Sequence, residues 1–141
     1  YAAEIERYGV AKERILLEEK SINTITELVE LVKLSVSHNW AHVAVIINDF
    51  HHDRTKKMWA RLPSLVDPAD REFTDAFDEF NRRGNHMIFV KAEEILLVRS
   101  PRYARLLTDV RNTEAYKARE KAEEQGIKDL EGGTYKKEDQ K

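Results

Sequence analysis

His42-Val43-Ala44-Val45-Ile46-Ile47-Asn48-Asp49-Phe50-His51-His52-Asp53-Arg54 reads as a strand that ends in a polar turn and runs into a helix. The unbroken run from Val43 to Ile47 is rich in β-branched residues, which fit a pleated surface. A run without polar alternation predicts burial on both faces, as in a parallel sheet. Asn48-Asp49 ends the run, and the spacing beyond predicts a helix to about Leu62, stopped by Pro63.

Upstream, Arg14-Ile15-Leu16-Leu17-Glu18 is a short apolar run bounded by charges and predicts another buried strand. Between the two runs, Ile25, Leu28, Val29, Val32 and Val36 recur at helical spacing. Thr24-Ile25-Thr26-Glu27 fits a capping box, with Thr24 as cap and Glu27 as its partner. Strand, helix, strand, helix is a βαβα pattern, which predicts parallel pairing through a right-handed crossover. The fold class expected is therefore α/β.

The flanks extend this reading. Residues 1–8 predict the end of a helix stopped by Gly9. Asp67 and Pro68 predict a helix start, and Phe73, Ala76, Phe77 and Phe80 its apolar face, with Gly84 closing it. Met87-Ile88-Phe89-Val90 predicts a third strand, and short helices are expected over 92–97 and 102–110. Asn112 is expected to cap a last helix to about Gln125, with Gly126 beyond its end. That helix is poor in large apolar residues, so it is expected on the surface, with Gly132-Gly133 and residues 136–141 as a mobile tail. The organisation expected is an α/β domain over 1–111 and a charged helical extension over 112–141.

Composition narrows the function. Lys plus Arg total 24 and Asp plus Glu 26, a net charge of -2, which argues against a nucleic-acid partner. The absence of cysteine excludes a disulfide framework, a thiolate metal site and a cysteine nucleophile. No apolar run reaches the roughly 20 residues of a membrane helix. There is no Walker loop, no G-x-G-x-x-G and no G-x-S-x-G, and Ser21 has no base nearby in sequence.

Two polar turns remain, Glu18 to Thr24 and Asn48 to Arg54. In an open parallel sheet ligands bind at the carboxyl ends of the strands, and helix starts there suit an anionic group. Ser21, Asn23, Thr24, Asp49, His51 and Arg54 are the candidate ligand-binding residues, with the Ser21–Thr24 and His51–Arg54 turns expected within about 10 Å of one another on neighbouring or next-neighbouring strands. Each has a plainer explanation beside it. Thr24 and Asp49 are ordinary helix caps, and Ser21 and Asn23 ordinary turn residues. His51, His52 and Asp53 carry metal-ligating atoms, but neighbours on a helix point in different directions. Because His51 and Arg54 share a face and arginine offers a planar fork for oxyanions, an anion site is favoured and no metal is assigned. If the site is catalytic, Glu18 is the candidate general base and His51 the acid or electrostatic stabiliser.

At these turns the chain resembles the YdcF-like family, which includes SanA and ElyC. The pattern there is a helix ending in Gly-Val, a strand ending in Glu, a Ser-x-Asn-Thr turn, and a later strand whose polar turn leads into His-x-x-Arg. Gly9-Val10, Ile15 to Glu18, Ser21, Asn23, Thr24, Val43 to Ile47, Asp49, Phe50, His51 and Arg54 match in order. Thr26-Glu27 stands where the family has Glu-Asn. The resemblance implies a three-layer α/β/α Rossmann-like parallel sheet. The family's first strand and Gly-rich turns are not among these residues, so a sheet lacking that N-terminal strand is expected. It further implies a cytoplasmic domain that binds a small anionic or nucleotide-like metabolite, S-adenosylmethionine among the candidates. Its alternative is a membrane-anchored hydrolase or transferase of envelope polysaccharide or peptidoglycan. A non-catalytic partner-binding domain, docking through the charged extension, is the third expectation.

Overall fold

In a computed structural model the chain is described over residues 2–100 and 102–135. In chain order the elements are α1 (Ala2–Arg7), a 3-10 turn (Lys12–Arg14), α2 (Thr24–Ser37), β1 (His42–Ile47), α3 (Asp49–Ala60), α4 (Leu62–Leu65), α5 (Arg71–Arg82), β2 (His86–Lys91), α6 (Ala92–Arg99), α7 (Tyr103–Arg111) and α8 (Glu114–Gly132). The expected residues 136–141 of the tail lie outside the described residues.

β1 and β2 pair in parallel, His42 opposite His86 through Ile47 opposite Lys91. The α/β class therefore holds, but the parallel pair is β1 with β2, not residues 14–18 with β1 as the βαβα reading expected. The wider three-layer sheet is not present among the described residues, where the sheet has two strands. Residues 15–18 form no strand. Ile15 donates its amide to Lys12 at the end of the 3-10 turn, Glu18 is drawn into a loop, and Leu16 and Leu17 are 51% and 57% exposed. Apolar content alone does not make a strand; the ladder and a covered face do.

The strands are also buried on one face only, against the expectation of two. Val43, Val45, Ile47, Met87 and Phe89 are half-buried, whereas Ile46 and Ile88 on the other face are 62% and 57% exposed. The core helices α2, α3, α4, α5 and α8 supply the residues that cover the first face. Ile25, Leu28, Val29 and Val32 of α2 join Met58, Leu62, Phe73, Phe80 and Leu130 in one core. Trp59 closes it, its ring 5.6 Å from Phe80, 6.0 Å from Phe77 and 6.1 Å from Phe89. Burying side chains of this size stabilises by about 1.5–3 kcal/mol each.

Several helix boundaries differ from the reading of the sequence, each for a local reason. Asp67 accepts a bond from the Ala69 amide in a turn, and Asp70 caps α5 by accepting from the Phe73 amide. Pro63 falls in the first turn of α4, where a missing amide costs nothing, so it starts a short helix rather than simply stopping one. Thr113, not Asn112, caps α8. α8 runs straight through Gly126 to Gly132, and Gly133, at φ 72°, supplies the left-handed residue that ends it. No helix among the described residues is long and apolar enough to cross a membrane.

Candidate functional site

The start of α2 is built by Asn23. Its side chain accepts from the Thr26 amide at 3.0 Å, and the Thr26 hydroxyl accepts from the Asn23 amide at 3.1 Å. The box is thus one residue upstream of the expected Thr24–Glu27 pair. An Asn side chain caps at least as well as Thr, and Thr26 replaces Glu as the reciprocal acceptor. Thr24 becomes the first residue of the helix, and its hydroxyl lies 3.1 Å from Nε2 of His51. The two polar turns, 27 residues apart in sequence, therefore do converge, but through α2 and α3 rather than through adjacent strand ends.

Glu18 and Ser21 are occupied in their own loop. The Glu18 carboxylate accepts from the amides of Lys20 (2.5 Å) and Ser21 (3.0 Å) and from the Ser21 hydroxyl. The Ser21 hydroxyl above all, helped by those amides, holds the Glu18 carboxyl below its ordinary value of 4.5 although burial opposes it. Stabilising the anion makes it a poorer base than a solvated glutamate. None of the Glu18 contacts reaches His51.

Asp49 is committed elsewhere as well. Its amide donates to Glu93 at 2.9 Å and its carboxylate pairs with Arg111 of α7, so it ties α3 to α6 and α7. Its Oδ1 is buried without a hydrogen-bond partner among the described residues. His52 is nearly buried and also structural, its Nδ1 2.8 Å from Asp53 and its Nε2 3.3 Å from the Phe89 carbonyl of β2.

His51 and Arg54, one turn apart on α3, face a group the sequence did not single out. Oε2 of Glu123 on α8 lies 3.0 Å from His51 Nδ1 and 2.7 Å from Arg54 Nε. The Arg54 contact is a close ion pair without the alignment of a good hydrogen bond. Arg54 Nη2 also stands 3.3 Å from His51 Nδ1. A single Nδ1 serves one of these neighbours. A proton on Nδ1 donated to the nearer carboxylate leaves Nε2 to accept from Thr24.

Residues of α8 roof this cluster. Arg119, Ala122, Glu123 and Gly126 recur at helical spacing, and Gly126 is where Arg54 passes. A Cβ at Gly126 would stand 3.0 Å from both Cδ and Nη1 of Arg54. Reading Gly126 as a helix end hid that face, because glycine inside a helix costs about 1 kcal/mol. Here it is kept for close packing. Between α8 and the starts of α2 and α3 lies a cavity of about 780 Å³, lined by Asn23, Thr24, Glu27, Arg54, Arg119 and Glu123 together with the next turns of α8. Ser21, Asp49 and His51 do not line it.

Comparison with models of protein families, with curated proteins and with solved structures found no match to this chain.

Proposed function

We propose that this chain is a ligand-binding domain of the YdcF-like kind, and that it receives a small polar metabolite with an anionic group between α2, α3 and α8. The observation that carries this reading is the cavity itself. Its volume of about 780 Å³ is that of a small-molecule site, and polar groups from three helices converge in it. Arg54 and Arg119 suit the anionic group, and Arg119 has no ion pair among the described residues. Glu27, Glu123 and Asp129 stand in the same wall, so a ligand that carries a cation beside its anion fits best. S-adenosylmethionine has that charge pattern, with its carboxylate, ammonium and sulfonium. Nucleotides and sugar phosphates match the anionic half.

Isothermal calorimetry with these three classes tests the reading. Arg54→Ala and Arg119→Ala should each weaken binding of the responsive ligand by about tenfold or more, the scale of one charge-assisted contact. Ser21→Ala and Asp49→Asn should leave the cavity wall intact and change affinity little. Unchanged affinity in both arginine variants rules out this cavity as the site. A second reading, a hydrolase or transferase acting on the same ligand, is favoured by the contact of Thr24 with His51.

A further inference from the structure

We infer that Thr24, His51 and Glu123 form a hydroxyl–imidazole–carboxylate relay, and that Thr24 is the nucleophile of an acyl-transfer site opening into the cavity. The inference rests on the cavity being a ligand site, and adds a reaction to it. Three elements supply the groups, which is why no local motif announces them. The Thr24 hydroxyl is 3.1 Å from His51 Nε2, and the Glu123 carboxylate is 3.0 Å from His51 Nδ1. This is the order required: a nucleophile within reach of a base, and the base held in one tautomer by a third group. Thr24 and Glu123 both line the cavity, so the two ends of the relay stand in its wall.

The surroundings favour this chemistry. Glu123 and the His51 side chain are largely shielded from water, with exposures of 12% and 22%, so the imidazole has little freedom to turn away. Arg54 meets the same Glu123 oxygen as His51, and its 2.7 Å ion pair positions the carboxylate rather than touching the reacting atoms. Thr24 stands in the first turn of α2, where backbone amides lack intrahelical acceptors and the helix end is positive. An oxyanion formed beside its hydroxyl is stabilised by such a helix end.

The steps balance with water alone. The Thr24 oxygen attacks the carbonyl carbon of an ester while its proton passes to His51 Nε2. The carbon–oxygen bond to the leaving alcohol breaks, and that oxygen takes the proton from Nε2. Water then attacks the threonine ester, giving its proton to Nε2. The Thr24 oxygen leaves and recovers that proton, so the carboxylic acid is released and the site restored. The substrate class assigned is a small carboxylic ester bearing an anionic group, which Arg119 at the cavity wall suits.

A fluorophosphonate probe tests the nucleophile without knowledge of the substrate, since the attacking oxygen displaces fluoride and remains covalently marked. Incubated with the whole chain and mapped by peptide mass spectrometry, the probe should mark Thr24. Labelling should persist in Thr24→Ser, vanish in Thr24→Val, fall at least about 100-fold in rate in His51→Asn, and fall about tenfold or more in Glu123→Gln. Circular dichroism melts establish that each variant is folded, and the Thr24→Ser result stands even if Thr24→Val is not. Absence of a mark on Thr24 in the folded wild type, or an equal rate in His51→Asn, overturns the relay. Ligand affinity that still depends on Arg54 and Arg119 would then leave the binding reading standing. Marking of Thr24 with arginine-independent affinity would remove the binding reading instead.

Discussion

Residues 15–18 and the helix α8 make an instructive pair. The first is the more apolar, with Ile15, Leu16 and Leu17 in a row, yet Leu16 and Leu17 stand more than half exposed and no ladder forms. The second is crowded with charge, yet it buries Leu130 to 2% exposure and places Glu123 between His51 and Arg54. Hydrophobic content did not decide which segment joins the core. Complementarity did: α8 has a glycine, Gly126, where Arg54 of α3 approaches, and one leucine that joins the core. Residues 15–18 find no strand beside them among the described elements.

Substitutions in the two segments should therefore separate sharply. Leu130→Ala empties a site in the core and is expected to cost about 2–4 kcal/mol in urea unfolding. Leu16→Ala and Leu17→Ala should each cost no more than about 0.5 kcal/mol, as exposed positions do. Similar losses in all three would mean that residues 15–18 pack as firmly as α8.

A finer comparison lies within α8. Gly132→Ala meets only Thr134 Oγ1 at 3.8 Å and should stabilise by roughly 0.5–1 kcal/mol through helix propensity. Gly126→Ala has the same propensity gain but must displace Arg54, so its gain should be smaller or reversed. Thermal melts of the two variants give the sign, and equal stabilisation would show that α8 does not sit against Arg54.

The smallest effect concerns a charge cluster away from the site. Arg82 first, and then Arg83, donate to Glu79 and hold its carboxyl at about 2, below its ordinary 4.5. A depressed carboxylate stabilises the folded state above its unfolded value and loses that contribution as pH falls through the folded value. The urea midpoints of wild type and Glu79→Gln should therefore differ slightly at pH 7 and converge as pH drops from about 4.5 to 2. A constant gap would mean the cluster is not formed.

The parts of the fold legible in the sequence were the β-branched run and the helices with strong periodicity. The Val43 to Ile47 run, the Ile25 to Val36 stripe and the phenylalanine face of α5 all emerged at their places. Burial of the second sheet face was not legible, because it depends on what else packs there. At the site, His51 and Thr24 were read from their turns and are in contact. Asn23 was read as a ligand group and caps α2 as well as lining the cavity. Ser21 went to a bond within its turn, as its plainer explanation allowed, whereas Asp49 went to an ion pair with Arg111 rather than to the helix cap expected of it. Glu123 was missed because its helix, poor in large apolar residues, was expected on the surface with no face turned to α3. Continuing the 3.6-residue count from Arg119 through Glu123 to Gly126 and Leu130 would have shown one face of a longer helix.

The central claim is that α8 closes onto α3 through Glu123, and a double-mutant cycle measures that contact directly. Arg54→Met, Glu123→Gln and the double variant, compared by urea unfolding at pH 7, isolate the pair from other effects of either change. For a largely shielded ion pair at 2.7 Å, a coupling of about 1–3 kcal/mol is expected. Additivity to within about 0.3 kcal/mol would mean that the two side chains do not meet, and that α8 does not form the roof of the site.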